Sequence, residues 1–370
     1  MNTTLSTPAL VVDIKVLRRN LIEMRDVADR AGVELFPHAK THRMPEVGLL
    51  QIEHGANGLC VAKLGEAERL VAAGIKRIIV PYPLVGEDKA HRALALHSIV
   101  DLIIATDSVD GAREIGAVFA EAGERARILL LVDSGLGREG VSFDAAPPIA
   151  DKISKIAGVD LVGIYTHEGS VYGATDRADL ERRSVAAGTA MVATAQKIRD
   201  FGIALPIVSM GASASARAVT LVPGVTQICP GIYAFNDVGQ IALGNATLET
   251  TALRVIATVV SHPESGRACI DAGSKALSTD LVTASGHRDE YPGYGLIVDK
   301  PGWQIEKMSE EHGWLRWHGE GEPSALPVGT RIEIVPNHAC MVFAMLRKAS
   351  VVSDGEVIET WEGMGSGSSE

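Results

Sequence analysis

The sequence has few cysteines and no long apolar run. Its 370 residues include four cysteines, none in a CxxC pair, so a disulfide framework is not expected. The longest apolar runs, such as 128–132, are far shorter than the ~20 residues that span a bilayer. Residues 1–8 also lack the basic and apolar segments of a signal peptide. These absences predict a soluble protein of a reducing compartment, the cytoplasm.

Positive charge is also scarce. The chain carries 35 Lys and Arg against 46 Asp and Glu, a formal net charge of −11. Nucleic acids and anionic membranes require a basic surface, so neither is expected as a partner. The 46% hydrophobic content is enough for a large core and excludes a mainly disordered chain. The length suggests two domains, or one large barrel with a smaller unit.

Short aliphatic runs alternate with longer amphipathic stretches over residues 14–244. Eight such runs lie at 35–37, 58–61, 77–80, 100–105, 127–132, 161–165, 206–209 and 226–229. A helix over 14–31, with Asp13 as its N-cap, precedes the first of them. Eight strand–helix units in about 200 residues are typical of an α/β fold, a (β/α)8 TIM barrel.

The pattern changes after residue 244. Strand-like runs broken by Gly, Pro and Asp lie at 251–261, 267–271, 295–298, 314–317, 331–335, 341–346 and 349–352. They predict a smaller β domain over 245–370, which residues 1–13 would join through a strand at 9–13. The Gly- and Ser-rich end, 363–370, is expected to be flexible.

Several predicted loops at the carboxyl ends of the barrel strands carry reactive or glycine-rich groups. Lys40 follows the first strand, where desolvation and nearby cations would lower its pKa and make it a Schiff-base nucleophile. Gly211 and Ser213 follow the seventh strand, and Gly231 and Tyr233 follow the eighth. Backbone N–H groups in such turns, with hydroxyls beside them, bind phosphate. The alternatives are a solvated lysine and ordinary tight turns.

His338 and Cys340 form a second kind of pattern. Residues i and i+2 of a strand face the same side, so both side chains would reach one metal ion. Imidazole with thiolate suits Zn²⁺ best, and two protein ligands leave room for water and substrate. The alternative is a histidine at a strand edge and a buried cysteine.

Taken together, the motifs resemble those of the fold-type III pyridoxal-phosphate (PLP) enzymes, whose barrel is alanine racemase-like. The resemblance is strongest to the D-serine dehydratase and D-threonine aldolase branch, and it runs from Thr7 to Trp361. The motifs are PHAKTHR around Lys40, DSGLGREGV around Arg138, THEGSVYG from Thr166, SMGAS from Ser209, PGIYAF from Pro230, DAGSKALS from Asp271 and PNHAC from Pro336. The resemblance implies a PLP-binding barrel followed by a β domain, and a homodimer.

The resemblance also implies roles for individual residues. Lys40 matches the lysine that binds PLP covalently, Arg138 contacts the phenolic oxygen of PLP, and His167 packs on its ring. Tyr172 lines the pocket, and with Lys40 and His167 it belongs to the catalytic set. The phosphate would be held by Ser209, Gly211, Ser213, Gly231 and Tyr233. His338 and Cys340 match a pair that binds a divalent metal, with Zn²⁺ favoured and Mn²⁺ or Mg²⁺ as alternatives.

Two departures separate the chain from alanine racemases. Cys229 stands where those enzymes have an arginine for the pyridine nitrogen, and no tyrosine base is found at 273–276. Both lower the expectation of a racemase, and they leave the pyridine-nitrogen partner unnamed. A PLP-homeostasis protein, another alternative, would usually lack the β domain and the metal pair.

Two lyase reactions fit the same residues. A dehydratase would convert D-serine, D-threonine or 3-hydroxy-D-aspartate into a 2-oxo acid and ammonia. Here Lys40 removes the Cα proton and the metal assists departure of the β-hydroxyl. A D-threonine aldolase would instead break Cα–Cβ and release glycine with an aldehyde. Dehydratases of the family resemble this chain in carrying His-x-Cys, whereas its aldolases carry His-x-Asp, so Cys340 favours dehydration.

Overall fold

The structure is a computed structural model that describes residues 5–364. Its strands are β1 (Ala9–Asp13), β2 (Glu34–Leu35), β3 (Leu59–Cys60), β4 (Arg77–Pro83), β5 (Asp101–Thr106), β6 (Ala126–Leu131), β7 (Val159–Thr166), β8 (Ile207–Met210), β9 (Gln227–Ile228), β10 (Leu253–Glu264), β11 (Arg267–Ile270), β12 (Leu296–Ile297), β13 (Trp303–Met308), β14 (Gly313–Trp317), β15 (Arg331–Val335), β16 (Lys348–Ser353) and β17 (Glu356–Glu362). Its helices are α1 (Ile14–Ala31), α2 (Pro45–Glu53), α3 (Leu64–Ala72), α4 (Glu87–His97), α5 (Val109–Glu121), α6 (Ala146–Ser154), α7 (Arg177–Arg199), α8 (Ala216–Val219), α9 (Val238–Ala242), α10 (Ser274–Leu277) and α11 (Ala339–Leu346).

Strands β2 to β9 form one parallel sheet that curls into a barrel. The strand order is β2-β9-β8-β7-β6-β5-β4-β3. A parallel bridge between His38 and Cys60, with the Cys60 N–H donating to the Pro37 carbonyl at 2.8 Å, joins the two outer strands. Each of the eight strands overlaps one of the apolar runs of the sequence, and α1 begins after Asp13, whose side chain accepts from the Lys15 and Val16 N–H groups. The barrel prediction is confirmed.

Alternation of side chains along the barrel strands divides the core into two layers. In β6, Leu129 and Leu131 point into the barrel, whereas Ile128 and Leu130 pack against the surrounding helices. Buried on both faces, such a strand is apolar throughout, as residues 128–132 are. Parallel strands also bring all their carboxyl ends to one rim, so the loops that follow them meet there.

The second sheet is built from both ends of the chain. Strand β1 lies between β10, to which it is antiparallel, and β16, to which it is parallel. The order β13-β14-β11-β10-β1-β16-β17 continues on either side, and β15 pairs with β10 and β12. The barrel segment therefore leaves this sheet after β1 and returns to it at β10.

The strand predicted over 341–346 is wrong, because these residues belong to helix α11. A short, wholly apolar run has no period that separates a helix from a strand. Ala339, Val342 and Phe343 supply the buried face at helical spacing, and Arg347 ends the helix with a positive φ of 57°. The sequence also left β13 and β17 unpredicted; β17 is largely exposed and rich in glutamate.

Residues 363 and 364, which belong to the end expected to be flexible, are packed against the rest of the protein. The Gly363 N–H donates to the Arg347 carbonyl at 2.7 Å, and Met364 is buried. The remaining part of that prediction, residues 365–370, lies outside the described residues. Between residues 5 and 364, none of the helices combines the length and the apolar character that crossing a membrane requires.

Candidate active site

A cavity of about 520 Å³ opens at the rim formed by the carboxyl ends of the barrel strands. The loops after β2, β6, β7, β8 and β9 form one side, and residues 280–283, 288, 338 and 340 of the second domain form the other. The site residues predicted from the sequence that line this cavity are Lys40, Arg138, His167, Tyr172, Gly211, Ser213, Gly231, His338 and Cys340. Residues separated by 300 positions in the chain, such as Lys40 and Cys340, thus line one cavity.

The side chains of Ser209 and Tyr233 do not line this cavity. Ser209 belongs to strand β8 itself, and its Oγ lies inside the barrel, 3.5 Å from Cys229 Sγ. The phenol of Tyr233 is buried beside Gln51 of α2, and burial raises its pKa. Side chains alternate in direction along a strand, which is why Ser209 points into the barrel and not to the rim. Cys229, which occupies the position of the racemase arginine, is fully buried there.

Lys40 lies in a single 3₁₀ turn, Ala39–Thr41, directly after the first barrel strand. The turn begins at His38, whose Nδ1 accepts the Lys40 N–H at 3.4 Å. Burial, together with Lys40 and Arg138, lowers the pKa of His167 to about 3. Burial and Lys40 also hold the pKa of His38 well below its usual value. Both imidazoles are therefore neutral near pH 7.

The loop that carries Arg138 is folded around one carboxylate. Asp133 Oδ1 accepts the N–H groups of Gly135 at 2.9 Å, Leu136 at 2.8 Å and Gly137 at 3.1 Å. Burial acts to raise the pKa of Asp133, but these three donors lower it overall. At the end of the loop, Arg138 Nη2 donates to Glu139 Oε1 at 2.5 Å. Three backbone N–H groups thus hold the shape of this loop, and Arg138 extends from it to the cavity.

Two glycine-containing loops meet at Ser213. Its Oγ accepts the N–H groups of Gly231 and Ile232, both at 2.9 Å. Since both lone pairs of the hydroxyl are used, its proton is left for a ligand. A Cβ at position 211 would lie 2.1 Å from Tyr165 Oη, and one at position 231 would lie 2.6 Å from Thr41 Oγ1. Glycine at both positions lets the loops approach this closely, and in this cradle the Ser213 hydroxyl is the donor that remains for an anion.

The carboxylate of Glu168 joins the loops after β7 and β8. It is fully buried, accepts the Gly211 N–H at 3.0 Å and also accepts the hydroxyl of Ser215. Burial raises its pKa. Among residues 5–364, no hydrogen bond joins Glu168 to His167. Its contacts hold the glycine loop in place.

His338 and Cys340 reach the cavity from the start of helix α11 and not from a strand. His338 is the N-cap residue of α11, with extended backbone angles of −143° and 105°, and Cys340 lies in the first turn. His338 Nδ1 lies 2.7 Å from Asp280 Oδ2, and Cys340 Sγ lies 3.5 Å from Thr41 Oγ1. The predicted geometry is wrong, yet both side chains face the cavity beside the turn that carries Lys40.

The electrostatics of this pair are those of a thiolate and an imidazolium. Burial opposes both charges, but contact with Cys340, with added attraction from Asp237 and Asp280, raises the pKa of His338 to about 10. The same contact lowers the pKa of Cys340. A cation with two positive charges would displace the shared proton, because metal ligands bind deprotonated. In the described part of the chain, no cluster of three or more His, Cys, Asp or Glu has metal-binding geometry.

Sequence reasoning missed Thr41, Asp237, Asp280 and Arg288. Thr41 Oγ1 lies 3.5 Å from Cys340 Sγ, and Asp237 accepts the N–H of Ala339, which stands between His338 and Cys340, at 3.1 Å. Asp280 lies 58 positions before His338, in a segment without regular structure, so no spacing rule connects them. The one signal was the DAGSKALS motif, which ends two residues before Asp280.

Two family models match the chain in order. The alanine racemase N-terminal domain covers residues 12–237, and the putative serine dehydratase domain covers residues 252–352. The chain is 34% identical to a D-threo-3-hydroxyaspartate dehydratase of Delftia sp., over 97% of both chains. It is 32% identical to a D-threonine aldolase of Arthrobacter sp., over 96% of this chain and 91% of the relative.

Solved structures give the same result. The Delftia dehydratase superposes with a TM-score of 0.89 at 32% identity, over 98% of both chains. A D-threonine aldolase of Filomicrobium marinum superposes with a TM-score of 0.88 at 28% identity, over 97% of this chain and 95% of the other. With these matches along its whole described length, the chain belongs to the fold-type III, alanine racemase-like PLP enzymes, in the group of lyases that contains D-serine dehydratases and D-threonine aldolases.

Proposed function

We propose that this protein is a PLP- and divalent-metal-dependent dehydratase of D-3-hydroxy amino acids, which forms a 2-oxo acid and ammonia. The substrate class is D-serine, D-threonine or 3-hydroxy-D-aspartate. The observation that carries the proposal is the meeting of Lys40 with His338 and Cys340 in one cavity. A base for Cα thereby lies near a site for a Lewis acid on the β-hydroxyl. Relatives named as dehydratases support it.

The residues of the cavity fit PLP. The cradle of Gly211, Ser213 and Gly231 offers the Ser213 hydroxyl to its phosphate, and Arg138 suits its phenolic oxygen. His167, neutral because its pKa is about 3, can pack on the ring without charge repulsion from the nearby cations. Lys40 supplies the amine. When bound, PLP supplies an electron sink for the carbanion at Cα. Ser209 and Tyr233 remain part of the proposed site only as support for its loops.

His338 and Cys340 fit a metal ion as two protein ligands of an open site. Asp280 holds His338 Nδ1, which leaves Nε2 for the metal, as carboxylates commonly do for metal-binding histidines. The N and S ligands favour Zn²⁺ over Mn²⁺ or Mg²⁺. One solved relative is a metal-free dehydratase with a cysteine replaced by alanine, and another has a histidine replaced two positions earlier in the chain. This is the spacing of His338 and Cys340.

Lys40 and Tyr172 have different roles in proton transfer. Lys40 Nζ is the base that takes the Cα proton. Burial, with Asp237 and Cys340 nearby, raises the pKa of Tyr172, so its phenol in the cavity wall stays protonated. Thr41 Oγ1 lies beside Cys340 Sγ and connects the lysine turn with the metal pair.

An aldolase is the second candidate. The specific observation in its favour is the 32% identity to a D-threonine aldolase along 96% of this chain. Racemisation is the least supported reaction, because the solved alanine racemases share only 14% identity and therefore show the fold alone. The thiolate ligand favours dehydration over retro-aldol cleavage.

Product analysis separates these reactions. The purified protein would be incubated with PLP, Zn²⁺ or Mn²⁺ and D-threonine, and the products identified by mass spectrometry. We expect 2-oxobutanoate. Glycine with acetaldehyde would establish the aldolase, and D-allothreonine, L-threonine or L-allothreonine would indicate epimerisation or racemisation.

Asp280→Asn is expected to weaken metal binding by about 10- to 100-fold, because the amide cannot hold His338 as a carboxylate does. Competition titration with a chromogenic chelator measures the affinity. Asp299→Asn, at a site outside the cavity lining, serves as the control. Unchanged metal affinity in Asp280→Asn would contradict a role for this carboxylate.

Glu168→Ala is expected to weaken PLP binding by about 10-fold or more, because it leaves the Gly211 N–H and the Ser215 hydroxyl without their acceptor. Glu168→Gln keeps one acceptor oxygen and should retain most of the affinity. Equilibrium dialysis of PLP measures both, and thermal unfolding of the PLP-free proteins checks the fold. Equal losses in the two variants would show that the charge matters more than the hydrogen bonds.

The proposal includes a cytoplasmic homodimer without nucleic-acid or membrane partners. Family resemblance supports the dimer. The net charge of −11 and the four free cysteines support the remaining features.

A further inference from the structure

Arg288 is a cation of the cavity wall that has no acidic partner. It directly follows the 3₁₀ turn Ser285–His287, and its side chain is exposed at the cavity. Within residues 5–364, no hydrogen bond or ion pair involves its guanidinium. The other charged groups of the wall are engaged: Arg138 pairs with Glu139, and Asp280 pairs with His338. With Lys40 assigned to PLP, Arg288 is the cation left for a further anionic group.

The segment that carries Arg288 is fixed to the metal pair. Asn337, next to His338, donates to the carbonyl groups of Asp280 at 3.0 Å and Gly293 at 2.9 Å. His287 is buried, and its Nδ1 lies 3.2 Å from Glu290 Oε1. The guanidinium therefore belongs to a segment tied at two points to the residue beside His338, so its place relative to the metal pair is restricted.

This position has a chemical consequence for the substrate. A β-hydroxyl that faces His338 and Cys340 places Cβ beside the second-domain wall that also carries Arg288, so a group on Cβ can meet this wall. We propose that Arg288 binds a carboxylate at that position, which makes β-hydroxylated D-amino dicarboxylates the preferred substrate class. A guanidinium pairs with a carboxylate through two parallel hydrogen bonds. The inference rests on the proposed lyase activity and narrows it to one class of substrate.

Substrate comparison tests the assignment. The kcat/KM values for threo-3-hydroxy-D-aspartate and D-threonine would be measured in the wild type and in Arg288→Gln. We expect the value for the dicarboxylate to fall by about 10- to 100-fold and that for D-threonine to change less than about 3-fold. Arg288→Lys keeps the positive charge but cannot form two parallel hydrogen bonds. Its kcat/KM for the dicarboxylate should therefore lie between those of the wild type and Arg288→Gln. Arg30→Gln, an exposed arginine of α1 outside the cavity, is the matched control.

Two results would overturn the assignment. Equal losses on both substrates would place Arg288 at the α-carboxylate, which all the candidates share. Unchanged values on both would show that the guanidinium does not reach the substrate. Circular dichroism of each variant, compared with Arg30→Gln, identifies a loss that comes from misfolding.

A binding measurement keeps the test separate from the reaction. D-Aspartate and D-alanine have no β-hydroxyl, so neither is dehydrated, and each perturbs the visible absorbance of bound PLP. Arg288→Gln should weaken D-aspartate binding by about 10- to 100-fold and leave D-alanine unchanged. Parallel changes would refute the role of Arg288. If the wild type forms no 2-oxo acid from any D-3-hydroxy amino acid, the proposed function fails, and this binding comparison still decides the assignment of Arg288.

Discussion

Lys40→Ala is expected to lose the visible absorbance of bound PLP and at least about 10⁴-fold of the activity. Lys40 is the lysine that the sequence places after the first barrel strand and that the structure places in the cavity, within reach of Arg138 and His167. Among residues 5–364, Lys40 is the one lysine that lines that cavity. Absorbance spectra after reconstitution with PLP, together with 2-oxo acid formation from D-threonine, measure both effects.

Lys155→Ala is the matched control, because this lysine lies on the surface beside α6 and pairs with Asp151. It should keep both the absorbance and the activity. PLP should still bind to Lys40→Ala through the Ser213 cradle, as equilibrium dialysis would show. A Lys40→Ala protein with an unchanged visible spectrum would refute the assignment.

His338→Ala and Cys340→Ala are each expected to remove bound metal and at least about 10³-fold of the activity while PLP binding persists. The separation of effects follows from the structure, since the metal pair comes from α11 and the PLP residues come from the barrel loops. Metal content by mass spectrometry, visible spectra and product formation are measured on the same samples.

Cys269→Ala provides the control for the thiol, because Cys269 lies in β11 outside the cavity. It should retain metal and activity. Chelator treatment of the wild type should reproduce the Cys340→Ala result, and added Zn²⁺ should reverse it. A Cys340→Ala protein that stays fully active after chelator treatment would show that the reaction needs no metal at this site.

The barrel could be predicted because each of its strands overlaps a short aliphatic run of the sequence. Residues 128–132 are apolar on both faces, as expected of a strand that is covered on both sides. The start of α11 had no such signal: its eight residues are all apolar or small, and neighbouring structure decides between helix and strand. The edge strand β17, with Glu356, Glu359 and Glu362, lacks an apolar face that would mark it.

Site residues could be predicted where the position of a loop at the rim fixes the direction of its side chains. They could not be predicted where alternation along a strand, or contact between residues far apart in the sequence, fixes that direction. Lys40 and Ser213 follow strands and reach the rim as expected. Ser209 belongs to a strand and points inward. Asp280 meets His338 only through the packing of an irregular segment, and no pattern along the chain records that contact.

The position of β1 has a consequence for how the protein is made. Leu10 pairs with Val255 and Ala349, so the ribosome must add about 240 and about 340 further residues before these partners exist. At ~5–20 residues per second, the first strand waits tens of seconds for its neighbours. During that time the barrel can close, but an apolar strand with both edges unpaired remains beside it. Such an edge pairs readily with other chains, so during synthesis the amino end is the segment with the greatest need of a chaperone.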